Sequence, residues 1–136
     1  MAEQQIPESY LDLLERPVVV SLATVNPDGQ PQVTPVWVDY DGEYVRINSA
    51  RGRRKVANME QRPRVTVLAI DPDDPHRWME IRGKVEQITE EGAVDHINKL
   101  SAKYRGEPDY YKNNPRRGKE TRVIFKIRPT RVVAEG

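Results

Sequence analysis

The chain has 136 residues, with 22 Lys and Arg against 21 Asp and Glu, and a formal net charge of +1. So even a balance excludes bulk nucleic-acid binding and directs attention to local basic clusters. With no cysteine, disulfides, thiolate catalysis and Cys-ligated metals are excluded together.

This length fits a single domain spanning 1–136. Met1 to Pro7 is polar, lacks an apolar signal region and reads as a flexible leader (1–7). No apolar run approaches the ~20 residues that span a bilayer, so a cytoplasmic protein is expected. Ser9 to Glu15 predicts a short helix with Tyr10, Leu13 and Leu14 on one side, stopped by Pro17. The β-branched run Val18 to Val25 reads as a largely buried strand, and Asn26-Pro27-Asp28-Gly29 turns the chain. Gln32 to Tyr40 predicts a second strand, joined through the hairpin signal Asp41-Gly42 to a third, Glu43 to Asn48. A helix of about three turns follows and ends before Pro63. Arg64 to Ile70 is a fourth strand, Asp71 to Pro75 a stiff loop, and Trp78 to Ile88 an alternating fifth. Thr89 is placed to cap a helix whose stripe is Ala93, Ile97, Leu100 and Tyr104. Gly106 to Glu120 reads as a polar surface loop, and Thr121 to Ile127 as a last strand extending through Val132-Val133. Six strands in antiparallel order with three helices in the connections predict a mainly β fold with helices (α+β), a small barrel with helices on its rim.

Side-chain chemistry is sparse. His76 and His96 have no partner at metal-ligand spacing, so no metal site is expected. Asp71, Asp73 and Asp74 lack the glycine and distal Glu of a calcium loop, and no serine sits in a nucleophile elbow. An enzyme built on this chain would let a bound cofactor carry the reaction. Thr34-Pro35 puts a proline inside a strand, which marks an edge or a bulge. Trp37 and Trp78, the only tryptophans, are either packing residues or ring contacts for a planar ligand.

The strongest functional signal is Asn48-Ser49-Ala50-Arg51-Gly52-Arg53-Arg54-Lys55, where a strand ends and a helix begins. Helix N-termini carry partial positive charge and unpaired N–H donors, so they favour acidic residues. Cations crowded there conflict with the dipole unless an anion is bound, and a phosphate or carboxylate resolves that conflict.

The series Asp28 to Trp37, Asn48 to Lys55 with Asn58, Arg62-Pro63-Arg64-Val65, Asp71-Pro72, Pro75 to Gly83 and Lys103-Tyr104-Arg105-Gly106 resembles the split β-barrel flavoproteins typified by pyridoxamine 5′-phosphate oxidase. It is closer to their deazaflavin branch, the coenzyme F420-dependent oxidoreductases of actinobacteria. The resemblance implies a six-stranded antiparallel split β-barrel of the FMN-binding type and a homodimer with two cofactor sites at the interface. It further implies an F420H2-dependent oxidoreductase that passes a hydride from reduced deazaflavin to a small electron-poor, conjugated or quinone-like substrate. The alternatives are an FMN-dependent enzyme of the same fold and a non-catalytic flavin-, deazaflavin- or haem-binding protein.

In that oxidase a Ser-Arg-Lys triplet grips the cofactor phosphate. Arg53-Arg54-Lys55 falls on it, so Arg54 and Lys55 inherit the phosphate role while Arg51 and Arg53 add field. Asn48 and Ser49 fall where the family places hydrogen bonds from the third strand, and the backbone of Thr34, Pro35 and Val36 would line the ring. Trp78 and Met79 complete the expected cofactor contacts. The family's second-strand Arg and Lys that hold FMN are missing, since no Arg or Lys occurs from Pro17 to Tyr44, which favours F420 over FMN. Tyr44, Tyr110, Tyr111 or solvent are the candidates for proton donor. The Arg116-Arg117-Gly118-Lys119 loop would meet the cofactor's anionic oligoglutamate tail.

Overall fold

The computed structural model describes residues 4–136. Strands β1 (Val20–Val25), β2 (Pro31–Val36), β3 (Asp39–Tyr40), β4 (Val45–Ala50), β5 (Arg64–Ile70), β6 (Trp78–Thr89) and β7 (Arg122–Glu135) form one antiparallel sheet in the order β2-β1-β5-β6-β7-β4-β3. The two edge strands β2 and β3 are separated in the chain only by Trp37 and Val38. The sheet therefore curls until its edges nearly meet, giving the split β-barrel expected, with seven strands rather than six.

The extra strand comes from a break in the run expected to be continuous from Gln32 to Tyr40. Residues up to Val36 pair with β1, while Asp39 and Tyr40 pair with β4. The Val38 N–H leaves the ladder and donates to the Tyr104 hydroxyl at 3.1 Å, and the Val38 carbonyl accepts from Lys103 Nζ at 2.8 Å. Pro35 lies on the edge strand β2, the kind of position to which proline is confined within sheets.

Alternation puts Val20 and Leu22, Val45 and Ile47, Val65 and Val67, Met79 and Ile81, and Val123, Phe125 and Ile127 inside the barrel. Full burial of each such side chain contributes about 1.5–3 kcal/mol. Helix α1 (Asp12–Glu15) seals one end with Leu13 and Leu14. Helix α2 (Arg54–Gln61) adds Val56 and Met59, and its eight residues make little more than two turns rather than three. Fully buried Asn58 fixes α2 to β1: its Nδ2 donates to Thr24 Oγ1 at 3.0 Å and Asn26 Oδ1 at 2.9 Å.

Strand β6 reaches from β5 to β7 through register shifts at Arg82/Gly83 and Val85/Gln87. Gly83 is required there, because a Cβ would lie 2.6 Å from Ile127 Cγ2 and 2.7 Å from the Arg128 carbonyl. Helix α3 (Ala93–Arg105) starts after Gly92 with no side-chain cap, and the Thr89 hydroxyl instead accepts the Glu91 N–H at 3.1 Å, so the expected cap is absent. Gly106, at φ 72°, ends the helix in the left-handed conformation that glycine adopts without strain. Of the expected flexible leader, residues 1–3 lie outside the described residues. Gln4 donates its N–H to the Pro129 carbonyl at 3.1 Å and Ile6 is buried in the core, so that part of the leader is packed. Among the described residues no helix is long and apolar enough to cross a membrane.

Candidate functional site

A cleft of about 300 Å³ opens where β2, β4, α2, α3 and β7 converge. Val19, Pro35, Val36, Trp37, Ile97 and Tyr110 give it an apolar and aromatic wall, and Asn48, Arg53, Lys55 and Arg122 supply the polar lining. Trp37 stacks on Tyr104 with ring centroids 5.2 Å apart and meets Tyr110 edge-on at 6.0 Å. The Arg122 guanidinium lies over the Tyr110 ring at 5.1 Å.

The N-terminus of α2 carries no acidic residue in its first turn, and its cap residue Arg53 makes no side-chain cap bond. Successive helical positions are ~100° apart, so the three cations diverge. Arg54 lines a separate cleft of about 500 Å³ with Arg51, Gly52 and Glu60, Lys55 lines the aromatic cleft, and Arg53 borders both. Arg51 is already paired, donating to Glu90 at 2.7 Å and Glu60 at 3.0 Å. Neither Arg54 nor Lys55 has a hydrogen-bond or ion-pair partner among the described residues. Burial pushes the half-buried Lys55 ammonium below the ordinary lysine range, and the positive charges of Arg53 and Arg122 push it further the same way. Exposed cations normally scatter into solvent; this one is held among like charges in a cleft.

Asn48 lines the same cleft but its amide is spent internally. Nδ2 donates to the Ala93 carbonyl at 2.8 Å and meets His96 Nδ1 at 3.1 Å, while Oδ1 accepts from Arg122 Nε at 2.9 Å. His96 Nε2 continues to Asp39 Oδ1 at 3.2 Å, and Arg46 clamps Asp39 with Nε and Nη2, both at 2.8 Å. Burial favours the neutral Asp39 acid, yet the hydrogen bonds from His96 and Arg46 outweigh it and hold the carboxyl far below the usual range.

The remaining expected contacts are dispersed. Thr34 shares the inward face of β2 with Val36, and its Oγ1 is buried without a hydrogen-bond partner; Ser49 Oγ is in the same condition on the face of β4 opposite Asn48. Met79 is fully buried in the barrel core, not at the cleft. Trp78 points to the other side of β6 and lines an outer apolar cleft of about 690 Å³ with Val33, Ile70 and Val133. Within one chain, both therefore depart from the expected grouping.

Of the tyrosines considered as proton donors, Tyr44 is tied to Glu86 and Arg128, and buried Tyr111 donates to Glu120 Oε1 at 2.9 Å. Tyr110 alone of the three lines the cleft. In the 106–120 segment, expected to be surface loop, Arg117 pairs with Asp109 and Arg116 lies 4.0 Å from Glu120. Arg122 is a cleft residue that no sequence motif marks. Its only signal is a cation opening a strand whose next residues, Val123 to Ile127, are otherwise apolar except Lys126.

Residues 6–135 match the family described as Pyridoxamine 5′-phosphate oxidase. A solved structure named F420 Reductase is 40% identical over 94% of this chain and 98% of that one, with a TM-score of 0.80. A conserved hypothetical protein from Mycobacterium tuberculosis is 27% identical over 99% of this chain and 88% of that one, with a TM-score of 0.77. A heme storage protein from Vibrio cholerae, HutZ, shares the fold at 14% identity, covering 98% of this chain and 96% of that one with a TM-score of 0.68.

Proposed function

This chain belongs to the pyridoxamine 5′-phosphate oxidase family, and on that premise we propose that it is a coenzyme F420-dependent reductase of small electron-poor, conjugated or quinone-like substrates. The observation that carries the reading is the unpaired, half-buried Lys55 facing Arg53 and Arg122 beside an uncapped helix N-terminus. Such a charge arrangement suits a phosphorylated cofactor. The similarity at 40% identity to a structure named F420 Reductase supports the deazaflavin over FMN. So does the lack of any Arg or Lys from Pro17 to Tyr44.

The residues fit such a group. Arg53 and Lys55 would hold its phosphate at the start of α2, while Arg54 faces the separate cleft beside Glu60. The backbone of Thr34, Pro35 and Val36 would line its ring, Pro35 and Val36 already forming part of the cleft wall. When bound, the reduced deazaflavin supplies a hydride. The chain's own part is binding, orientation and exclusion of water, with Trp37 and Tyr110 walling the cleft. A homodimer would complete the site. Val33, 62% exposed, and Ile70, 44% exposed, mark an outer sheet face suited to a second subunit.

The test is spectroscopic. The purified chain is titrated with F420 and with FMN, and oxidation of reduced F420 is followed with a panel of quinones and enones. Binding of F420 with turnover is expected; tight binding of FMN with no affinity for F420 would overturn the reading. F420 binding without turnover on any acceptor would assign a carrier instead of an enzyme.

A further inference from the structure

Arg122 is only 6% exposed, and only part of its donor set is used. Nε donates to Asn48 Oδ1 at 2.9 Å and Nη1 to Glu120 Oε1 at 3.2 Å, while Nη2 has no partner among the described residues. Nη2 is not among the buried polar atoms left without a partner, which are Thr34 Oγ1 and Ser49 Oγ among the described residues; it reaches the solvent of the cleft and is open to an incoming acceptor. Lys55 lines the same cleft, also without an acceptor. Glu120, the carboxylate bonded to Arg122, already receives the Tyr111 hydroxyl at 2.9 Å.

The guanidinium is fixed from behind. Because Asn48 Nδ2 spends its hydrogens on Ala93 and His96, its oxygen must face Arg122. His96 Nδ1 accepts in that pair, so Nε2 carries the hydrogen given to Asp39, which Arg46 clamps in turn. A buried cation held this firmly, with one nitrogen free toward a cleft, is a preorganised binding group rather than a packing residue.

We propose that Arg122 and Lys55 form an oxyanion subsite of the phosphate type, with Arg122 rather than the chain neighbour Arg54 as the partner of Lys55 across the cleft. The ligand group is a phosphoryl or free phosphate. This assignment goes beyond the deazaflavin reading and does not depend on it.

The full chain is titrated by calorimetry with F420, FMN and inorganic phosphate as separate ligands. The wild type should bind at least one, and Arg122→Gln and Lys55→Gln should each weaken that binding tenfold or more. Arg64→Gln, which removes an exposed cation from β5, should change it less than threefold. If Arg122→Gln fails to fold, Arg54→Gln decides between the two arginines: a change below threefold supports Arg122 as the partner of Lys55, and a tenfold loss overturns it. Binding of inorganic phosphate by itself assigns a free-phosphate site, and binding of F420 or FMN alone assigns a cofactor phosphoryl group. If FMN but not F420 binds with this variant pattern, the deazaflavin reading falls and the subsite stands. If F420 binds and neither variant weakens it, the subsite falls and the deazaflavin reading stands. A wild type that binds none of the three also overturns the subsite.

Discussion

The Tyr104 hydroxyl accepts the Val38 N–H at 3.1 Å and donates to the Val18 carbonyl at 2.6 Å. One side chain of α3 thus replaces the ladder bonds missing where the sheet edges separate. Burial pushes this hydroxyl up to about 12, so it remains a donor across the working pH range. Tyr104→Phe would orphan both backbone groups while keeping the ring that stacks on Trp37. The expected loss is about 1–3 kcal/mol of stability in urea denaturation, with an unchanged slope. A loss below about 0.5 kcal/mol would mean that Lys103, bonded to the Leu14 and Val38 carbonyls at 2.5 Å and 2.8 Å, holds the seam unaided.

Asp39 makes the fold acid-sensitive. Its folded carboxyl is held far below the ordinary 3.8 because hydrogen bonds from His96 and Arg46 outweigh burial. A depressed acid stabilises the folded state above its unfolded value and loses that contribution as pH falls through the folded one. Thermal midpoints should therefore drop steeply below about pH 4. Asp39→Asn, which leaves Arg46 without its carboxylate, should cost about 3 kcal/mol at pH 7. The gap between variant and wild type should narrow as pH falls below about 4; a gap constant with pH would remove Asp39 as the titrating group.

Much of the barrel is written locally. The hydrophobic alternation of β5 and β6, the Asp41-Gly42 hairpin signal and Pro63 after α2 are all visible without tertiary information. The break at Trp37-Val38 is not, because its cause is a pair of side chains on α3 more than 60 residues away. The site divides in the same manner. Arg53-Arg54-Lys55 is legible as a cationic cluster, but helical rotation parts Arg54 from Lys55. Period-two alternation already implies that Trp78 and Met79 face opposite sides of one strand, so they could not share a contact surface within the chain. Arg122 depends on Asn48, 74 residues distant, and no local pattern announces a buried cation with a free donor.

Lys55 should trade stability for binding. Its folded pKa is lowered by burial, Arg53 and Arg122, so the charged form is disfavoured in the unliganded fold. That cost applies at neutral pH and disappears as pH rises through the folded value toward the unfolded 10.5. Because the group is half exposed, solvent screens the effect and the cost is modest. Lys55→Met should raise the stability of the unliganded chain at pH 7 by about 0.5–1 kcal/mol while weakening cofactor binding. The stabilisation should fade as the pH of the melt approaches 10. A destabilised variant would show that the ammonium has an internal acceptor and is not waiting for a ligand.

Glu120 is placed to compete with that ligand. Its carboxylate receives Tyr111 Oη at 2.9 Å and Arg122 Nη1 at 3.2 Å, and it lies 3.9 Å from Arg53. Burial pushes its pKa up, but the Tyr111 hydrogen bond and the Arg122 charge outweigh burial and keep it ionised below the ordinary 4.5. A negative charge beside the cleft's cations lowers their pull on an incoming anion. Glu120→Gln keeps the size and one carbonyl acceptor but removes the charge. Anion binding should then tighten by about threefold to tenfold, or about 0.7–1.4 kcal/mol. Loss of the charged partner should lower stability by about 1 kcal/mol through the loosened Tyr111 and Arg122 contacts. Because the wild-type carboxylate stays charged below pH 4.5, the affinity ratio of variant to wild type should hold down to that pH and close beneath it. Weaker binding in the variant at every pH would identify Glu120 as a brace that Arg122 needs, and not as a competitor for its free nitrogen.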